Sequence, residues 1–410
     1  MKKKSQITIS LKYAFFALIL MILFLTVSPA VMAESENDLL KQRIEKLEKE
    51  LNELKTLIGK KSAEEETVAK PAATATKPSE GFSIKPYGYI KLDAAYTDST
   101  VTNGNYLVFV PSEGAEKNDD KVNVTARQTR LGLAVTAPEY EGWKTTGKVE
   151  IDFYGDGSTA HENKTEPMMR HAFIETGKGD WSFLAGQTWD VISPLNPNTL
   201  NYTVGWGAGN IGYRRPQIRA SYNISLFDDT DLTTQFAVSR TAGLTNEDLD
   251  GMGQNDGDDS GFPTVQARVA YSTKLFTEKK ATLGISGHYG EEEADYPGGG
   301  RDHESWSMNI DLFIPLPERF TLSGEFFVGE NLDDYFGGAI QGVNIISRDE
   351  ISAIGMWTQL SYSLNKDMQY NAGFGFDNPD NDDLNIGNRA RNSFYYVNTM
   401  YKVMPALTLG

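Results

Sequence analysis

Residues 306–314 read WSMNIDLFI, and the apolar residues Trp306, Met308, Ile310, Leu312 and Ile314 occupy every second position. This alternation predicts a β-strand with one apolar and one polar face, because successive side chains of a strand point to opposite sides. The pattern recurs in about fifteen segments with no helical period between them. Clear copies span residues 87–96, 131–135, 149–153, 265–271 and 354–364.

The connections between these segments are alternately short and long. The short ones span residues 177–180, 276–280, 315–319, 365–367 and 404–406. The long, polar ones span residues 99–123, 155–167, 189–212, 240–262, 291–303, 330–349 and 378–390. Tight turns at one edge and long loops at the other are typical of an outer-membrane β-barrel. An open sheet edge is not stable in lipid, so we expect a closed antiparallel barrel with its apolar face outward, rather than the alternative of a soluble repeat protein.

Composition excludes several functions. The 410 residues include 56 acidic and 39 basic ones, a net charge of −17, which argues against nucleic-acid binding. The absence of cysteine excludes disulfides, thiolate metal sites and cysteine nucleophiles, and the four histidines lack metal-ligand spacing. We therefore predict no catalytic residues, no metal, no cofactor and no enzymatic activity.

The first 33 residues have the layout of a signal peptide. A basic start at Lys2–Lys4 precedes an apolar run at residues 13–26, and Val31-Met32-Ala33 is a small-residue cleavage site. A permanent transmembrane anchor is the alternative, since the apolar run is almost long enough to span a bilayer. We predict export to a bacterial envelope.

Residues 34–58 carry heptads and predict a periplasmic coiled coil that mediates self-association. The a positions are Ile44, Leu51 and Ile58, and the d positions are Leu40, Leu47 and Leu54. A single amphipathic helix is the alternative for such a short repeat. Residues 59–80 read as a flexible linker, and residues 81–410 as the barrel. Because the fifteenth segment starts near Leu407, we expect the barrel to lack its last one to two strands.

Alternation places more basic than acidic side chains on the inner wall. The basic ones are Lys85, Lys91, Arg130, Lys148, Arg170, Arg215, Arg219 and Arg268, and the acidic ones are Asp93, Glu150, Asp152, Asp311 and Glu325. Many other acids fall in the long connections 240–262 and 291–303. Confined arginines attract carboxylates or phosphates and can bind them bidentately. Each arginine could instead pair with a wall acid, although no acid lies between Val191 and Phe227 around Arg214, Arg215 and Arg219.

Three motifs resemble one known family. They are RQTRLGL at residues 127–133, GQTW at 186–189 and GNIGYRRPQIR at 209–219. These motifs, with the coiled coil, are similar to the DcaP-like trimeric porins of Gram-negative outer membranes, over residues 35–410. The resemblance implies a homotrimer of barrels with about 16 strands each. It further implies passive diffusion of dicarboxylates and related anions, and contact with outer-membrane lipid and lipopolysaccharide. The expected pore-lining contacts are Lys91, Arg130, Lys148, Arg170, Arg214, Arg215, Arg219 and Arg268.

Other functions stay open at this point. A phosphate-selective porin or a general diffusion pore would use a similar wall. An outer-membrane hydrolase would need a serine, a histidine and an acid near one rim; Ser286 and His288 share an inward face, but no motif supports activation of the serine. The acids of residues 248–259 do not match an EF-hand loop.

The heptads generate the first prediction. Replacing Leu47 and Leu51 with Asp would bury charge in the seam between helices, so the oligomer should dissociate at a lower temperature on semi-native gels. Replacing Lys49 and Glu53 with Gln is the control, because the f and c positions of the heptad point away from the seam. The control should leave the dissociation temperature unchanged. An unaltered temperature in the Asp variant would show that the coil is not an assembly element.

Overall fold

The computed structural model describes residues 81–99, 101, 105–111, 119–155, 164–241, 249 and 260–410. The predicted signal peptide, coiled coil and linker lie outside the described residues. Within them, helical structure is limited to three short 3-10 turns, η1 Pro317–Arg319, η2 Asp333–Tyr335 and η3 Asn381–Asp383. No helix in this part of the chain has the length and apolar character needed to cross a membrane.

β-Strands dominate the described residues. In chain order they are β1 Ser83–Tyr89, β2 Asp93–Thr97, β3 Lys121–Thr125, β4 Arg130–Thr136, β5 Lys144–Asp152, β6 Met168–Lys178, β7 Trp181–Trp189, β8 Arg214–Phe227, β9 Thr230–Ser239, β10 Thr264–Lys274, β11 Lys280–Ala294, β12 Arg301–Pro315, β13 Phe320–Glu330, β14 Ser352–Ser363, β15 Met368–Pro379, β16 Asn392–Met404 and β17 Leu407–Leu409.

Fifteen of these strands form one sheet in the order β1, β4 and then β5 to β17, with every neighbouring pair antiparallel. β2 and β3 pair separately, and they continue β1 and β4 beyond short interruptions. The predicted strand 87–96 is therefore broken at residues 90–92. The all-β, antiparallel architecture is confirmed, and β17 begins at the predicted Leu407.

Apolar side chains on the strands point away from the buried side of the sheet. Ile218 is 71% exposed, whereas the adjacent Gln217 is 4% exposed. Likewise Val149 is exposed beside the buried Glu150. A soluble sheet would show the reverse, so the structure confirms that the apolar face is the outer one.

Aromatic side chains cluster on the outer surface of β7 and β8, next to the tight turn that joins β6 to β7. The Trp181 ring stacks on Phe183 with centroids 5.9 Å apart, and it contacts Tyr222 at 4.6 Å. Phe320 and Tyr362 form a similar pair, 4.7 Å apart, at another tight-turn end. Rings at this level are typical of the aromatic belt that a membrane-spanning sheet places at the lipid headgroups.

The predicted division into short and long connections holds with one correction. The predicted long loop 291–303 is wrong, because β11 and β12 extend to Ala294 and Arg301 and leave only residues 295–300 as a turn. Glu291 pairs with Glu304 and Glu292 with His303 in the ladder. The glutamates of this segment therefore belong to a hairpin rather than to an acidic loop.

Residues 190–213, named here the first inner loop, run along the inner face of the sheet. The Val191 N–H donates to the Gln266 side chain on β10 at 2.7 Å, and the Leu195 N–H donates to Glu325 on β13 at 2.7 Å. The Asn198 N–H donates to Gln359 on β14 at 2.5 Å. These acceptors satisfy backbone groups that would otherwise be buried without a partner.

The sheet curves around this loop. Lys91, between β1 and β2, donates to the Leu200 carbonyl at 3.0 Å, while Asn398 on β16 donates to the Asn198 carbonyl at 2.7 Å. Opposite ends of the sheet therefore contact positions only two residues apart in the same loop. Among the described residues β1 and β17 do not pair with each other.

Residues 331–351, named here the second inner loop, also pack on the inner side. The η2 turn is buried, and its neighbour Phe336 accepts a hydrogen bond from the Gly207 N–H at 2.8 Å. The Tyr335 carbonyl accepts one from the Gly212 N–H at 2.9 Å. The two inner loops are thus hydrogen-bonded to each other.

The strand order generates a prediction about orientation. A glutamate-specific protease added to whole cells should cut at Glu247 in the long connection, because the long connections are expected to face outward. It should spare Glu278 in the tight turn between β10 and β11, although that side chain is 95% exposed. Mass spectrometry of the fragments distinguishes the two sites. We expect cutting at Glu278 only after the outer membrane is ruptured. Cutting at Glu278 in intact cells would show that the orientation is the reverse of the predicted one.

Candidate functional site

A cavity of about 360 Å³ lies between the first inner loop and strands β4 to β8. The strands contribute its charged wall, formed by Arg130, Lys148, Glu150, Arg170, His171 and Arg214. Trp189 and the loop residues Asn196, Tyr202, Val204 and Trp206 form the remaining wall. Four of the eight predicted solute contacts therefore line one cavity: Arg130, Lys148, Arg170 and Arg214.

Arg170 is held by two carboxylates. Its Nε donates to Glu150 at 2.8 Å and its Nη1 donates to Asp152 at 2.6 Å. Glu150 also pairs with Lys148 at 3.3 Å. The Tyr202 hydroxyl donates to Asp152 at 3.0 Å, and burial raises the pKa of Tyr202, so that this hydroxyl keeps its proton. The guanidinium of Arg170 is thereby fixed in place.

A β-bulge in β6 positions the neighbouring residues Arg170 and His171. Glu150 pairs with His171, but the next residue, Ile151, pairs with Met169, so Arg170 is the extra residue in the ladder. Strict alternation would turn one of the two side chains outward. Both line the cavity as a result of the bulge.

Arg214 is enclosed by aromatic rings. Its guanidinium lies 4.7 Å from the Trp189 ring centroid and 4.6 Å from that of Tyr213, and the residue is only 4% exposed. Its Nε and Nη2 atoms have no hydrogen-bond partner within the described part of the chain. Leaving a buried charged donor unsatisfied is costly, so a hydrogen-bond acceptor placed beside these groups would be stabilising.

The cavity carries excess positive charge. The four cationic side chains on its wall face Glu150 and, behind it, Asp152, which leaves a surplus of two positive charges when His171 is counted as neutral. Arg130 also has a buried Nε without a partner among the described residues, and it lies over the Tyr89 ring at 5.4 Å. Arg130 and Arg214 are thus less neutralised than Arg170.

The other four predicted contacts lie outside this cavity. Arg215 is fully buried in an ion pair with Asp190 at 2.9 Å, and its guanidinium stacks on Tyr335 at 4.0 Å. Arg268 pairs with Asp311 at 2.6 Å. Arg219 donates to Gln217 and to the Trp189 carbonyl, and Lys91 pairs with Asp93 at 2.9 Å. These side chains already have protein acceptors.

Several cavity residues were not predicted from the sequence. Tyr202, Trp206, Asn196 and His171 line the wall but did not stand out as charged positions on a strand. A usable signal was present in the first inner loop and its flanks, where Trp189, Tyr202, Trp206 and Tyr213 concentrate aromatic residues between two strands. Trp189 itself lies within the GQTW motif.

A comparison with protein-family models matches residues 26–271, well over half of the chain, to the model described as DcaP outer membrane protein. The chain belongs to the DcaP outer membrane protein family. This confirms the resemblance carried by the three motifs, all of which lie inside the matched region. It also supports an outer-membrane location.

A solved channel structure supports the same fold for this DcaP family member. The outer membrane channel DcaP of Acinetobacter baumannii is 20% identical with a TM-score of 0.62, and the alignment covers 80% of this chain and 89% of that one. OprB of Pseudomonas putida also matches, at 12% identity and a TM-score of 0.48, over 79% and 86% of the two chains. No curated protein matches the sequence. The family and its channel structure confirm the prediction that the chain is not an enzyme.

The buried Arg215–Asp190 pair generates a stability prediction. Arg215→Met leaves the Asp190 carboxylate buried without its cation, and should lower the free energy of unfolding by about 3–5 kcal/mol. Adding Asp190→Asn should recover part of that loss, which a double-mutant cycle in a denaturant titration measures. Lys178→Met at an exposed tight turn is the control and should change stability little. Additive effects of the two substitutions would contradict direct pairing.

Proposed function

We propose that the chain forms a porin through which small anionic solutes, in particular dicarboxylates, diffuse passively across the outer membrane of a Gram-negative bacterium. The observation that carries this proposal is Arg214, a buried arginine on the wall of the cavity whose Nε and Nη2 groups have no hydrogen-bond partner among the described residues. The family assignment and the channel fold support the pore itself.

The electrostatics of the cavity favour a dianion. Its surplus of two positive charges matches two carboxylates, and each unit-charge contact at about 4 Å contributes roughly 4 kcal/mol at an effective dielectric constant near 20. Arginine can hold a carboxylate through two parallel N–H donors. We assign the solute contacts to Arg130, Lys148, Arg170 and Arg214. The other four cationic side chains support the wall and the first inner loop: Arg215, Arg219, Arg268 and Lys91.

The charges that line the cavity also favour diffusion of organic anions over phosphate-specific binding. Glu150 and Asp152 accept hydrogen bonds from the Nε and Nη1 atoms of Arg170 and offset its charge, so the cavity lacks a full set of cations converging on one small anion. A general diffusion pore would result if solutes passed without contacting Arg214. The experiment below distinguishes these cases.

The proposal includes barrel closure and assembly. A sheet whose outer face is apolar needs closed edges in lipid, and we propose a barrel with about 16 strands. We further propose a homotrimer, held in part by the coiled coil of residues 34–58 in the periplasm. Acidic residues of the outward connections would meet lipopolysaccharide phosphates through divalent cations.

Selectivity tests the function directly. The double variant Arg130→Gln, Arg214→Gln should lower the anion-to-cation permeability ratio, measured as the reversal potential in a KCl gradient across a planar bilayer. Block of the current by succinate should weaken by about tenfold or more, corresponding to at least 1.4 kcal/mol. Lys178→Gln on a tight turn should change neither quantity.

Three outcomes of this experiment decide the proposal. A shift in reversal potential together with weaker succinate block supports it. Unchanged values in the double variant would leave only a general diffusion pore. Block by inorganic phosphate that exceeds block by succinate would favour the phosphate-selective alternative.

A further inference from the structure

Phe336 in the second inner loop stacks on a ring of the candidate site without lining the cavity. Its ring and that of Trp206 are parallel within 9°, with centroids 4.5 Å apart. The edge of Phe336 also meets Tyr213 at 5.1 Å. Trp206 lines the cavity, and both Trp206 and Tyr213 lie against the Arg214 guanidinium.

The backbone of Phe336 is held in an unfavourable conformation. Its φ angle is +60°, in the left-handed region that a bulky non-glycine residue seldom adopts. Such a conformation is unfavourable and persists only where the surroundings enforce it. The ring contacts with Trp206 and Tyr213 help to offset that cost.

Backbone hydrogen bonds connect Phe336 and its neighbour Tyr335 to two points of the first inner loop. Its carbonyl accepts the Gly207 N–H, next to Trp206, and the Tyr335 carbonyl accepts the Gly212 N–H, next to Tyr213. Tyr335 is in turn stacked between Arg215 at 4.0 Å and His288 at 3.9 Å. A continuous series of contacts therefore reaches from β8 and β11 through Tyr335 and Phe336 to the rings around Arg214.

We propose that Phe336 is a positioning residue for anion binding: it fixes Trp206 and Tyr213, and through them orients the unsatisfied N–H groups of Arg214 toward the solute. This inference rests on the proposed function. Pre-ordering of the rings before a solute arrives increases affinity because less conformational freedom is lost on binding. Removing the Phe336 ring leaves a void into which Trp206 can turn, while every charge of the site stays in place.

The test compares three variants at Phe336 in the full-length protein in planar bilayers, with succinate block and the KCl reversal potential as readouts. Phe336→Ala should weaken succinate block about tenfold and leave the sign of the reversal potential unchanged, because the charges of the wall remain. Phe336→Tyr keeps the stacked ring, so the succinate concentration that blocks its current should stay within about twofold of that for the unsubstituted protein. Phe336→Leu keeps apolar bulk without a ring, so its succinate block should be weaker than that of Phe336→Tyr and stronger than that of Phe336→Ala.

Phe374→Ala is the matched control, because it removes the same ring from the exposed outer face of β15. It should leave block unchanged. If Phe336→Ala does not assemble, Phe336→Leu decides: block equal to that of the unsubstituted protein overturns the inference. Equal loss of block in Phe336→Tyr and Phe336→Ala overturns it as well. If succinate block is lost in the double variant Arg130→Gln, Arg214→Gln but not in Phe336→Ala, the inference fails while the proposed function stands. If the double variant keeps succinate block, the proposed function itself fails.

Discussion

Hydrogen bonds from the backbone of the first inner loop to side chains of the sheet are the interactions on which the rest of the structure depends. A chain segment crossing the interior cannot leave its N–H groups without acceptors. Gln266, Glu325 and Gln359 supply them from strands that are far apart in the sheet. The inner wall must therefore be polar, and the apolar residues of the same strands are left for the outer face. The charged cavity exists because this loop closes it on one side.

Much of the fold could be predicted from the sequence, because a period of two is a local property that each strand displays by itself. The strand count, the tight turns and the outward apolar face all follow from it. The hairpin of β11 and β12 was misassigned because Glu291, Glu292 and Glu293 interrupt the apolar period, although their backbone pairs continue the ladder. The break between β1 and β2 has no such signal, since Ile90 and Leu92 keep the alternation.

The candidate site was predictable only where charge and alternation coincide, as at Arg130 and Lys148. Arg214 was identified from its motif, and its neighbour Arg215 differs from it in a way that sequence does not reveal. Arg215 pairs with a carboxylate of the first inner loop, whereas Arg214 lies against the rings of Trp189 and Tyr213. The contact of Phe336 with Trp206 joins residues 130 positions apart in two long connections, and no period or spacing relates them.

The bulge in β6 makes the chemistry of the site sensitive to chain length at one point. Deleting a single residue between Met168 and His171 would restore a regular ladder, in which strict alternation places only one of Arg170 and His171 on the inner side. Loss of Arg170 itself would remove the guanidinium that binds Glu150 and Asp152, whereas loss of Met169 would bring Arg170 opposite Ile151, on the outer face. Related sequences that differ by one residue here would therefore share a barrel while offering a different set of charges to what passes through it.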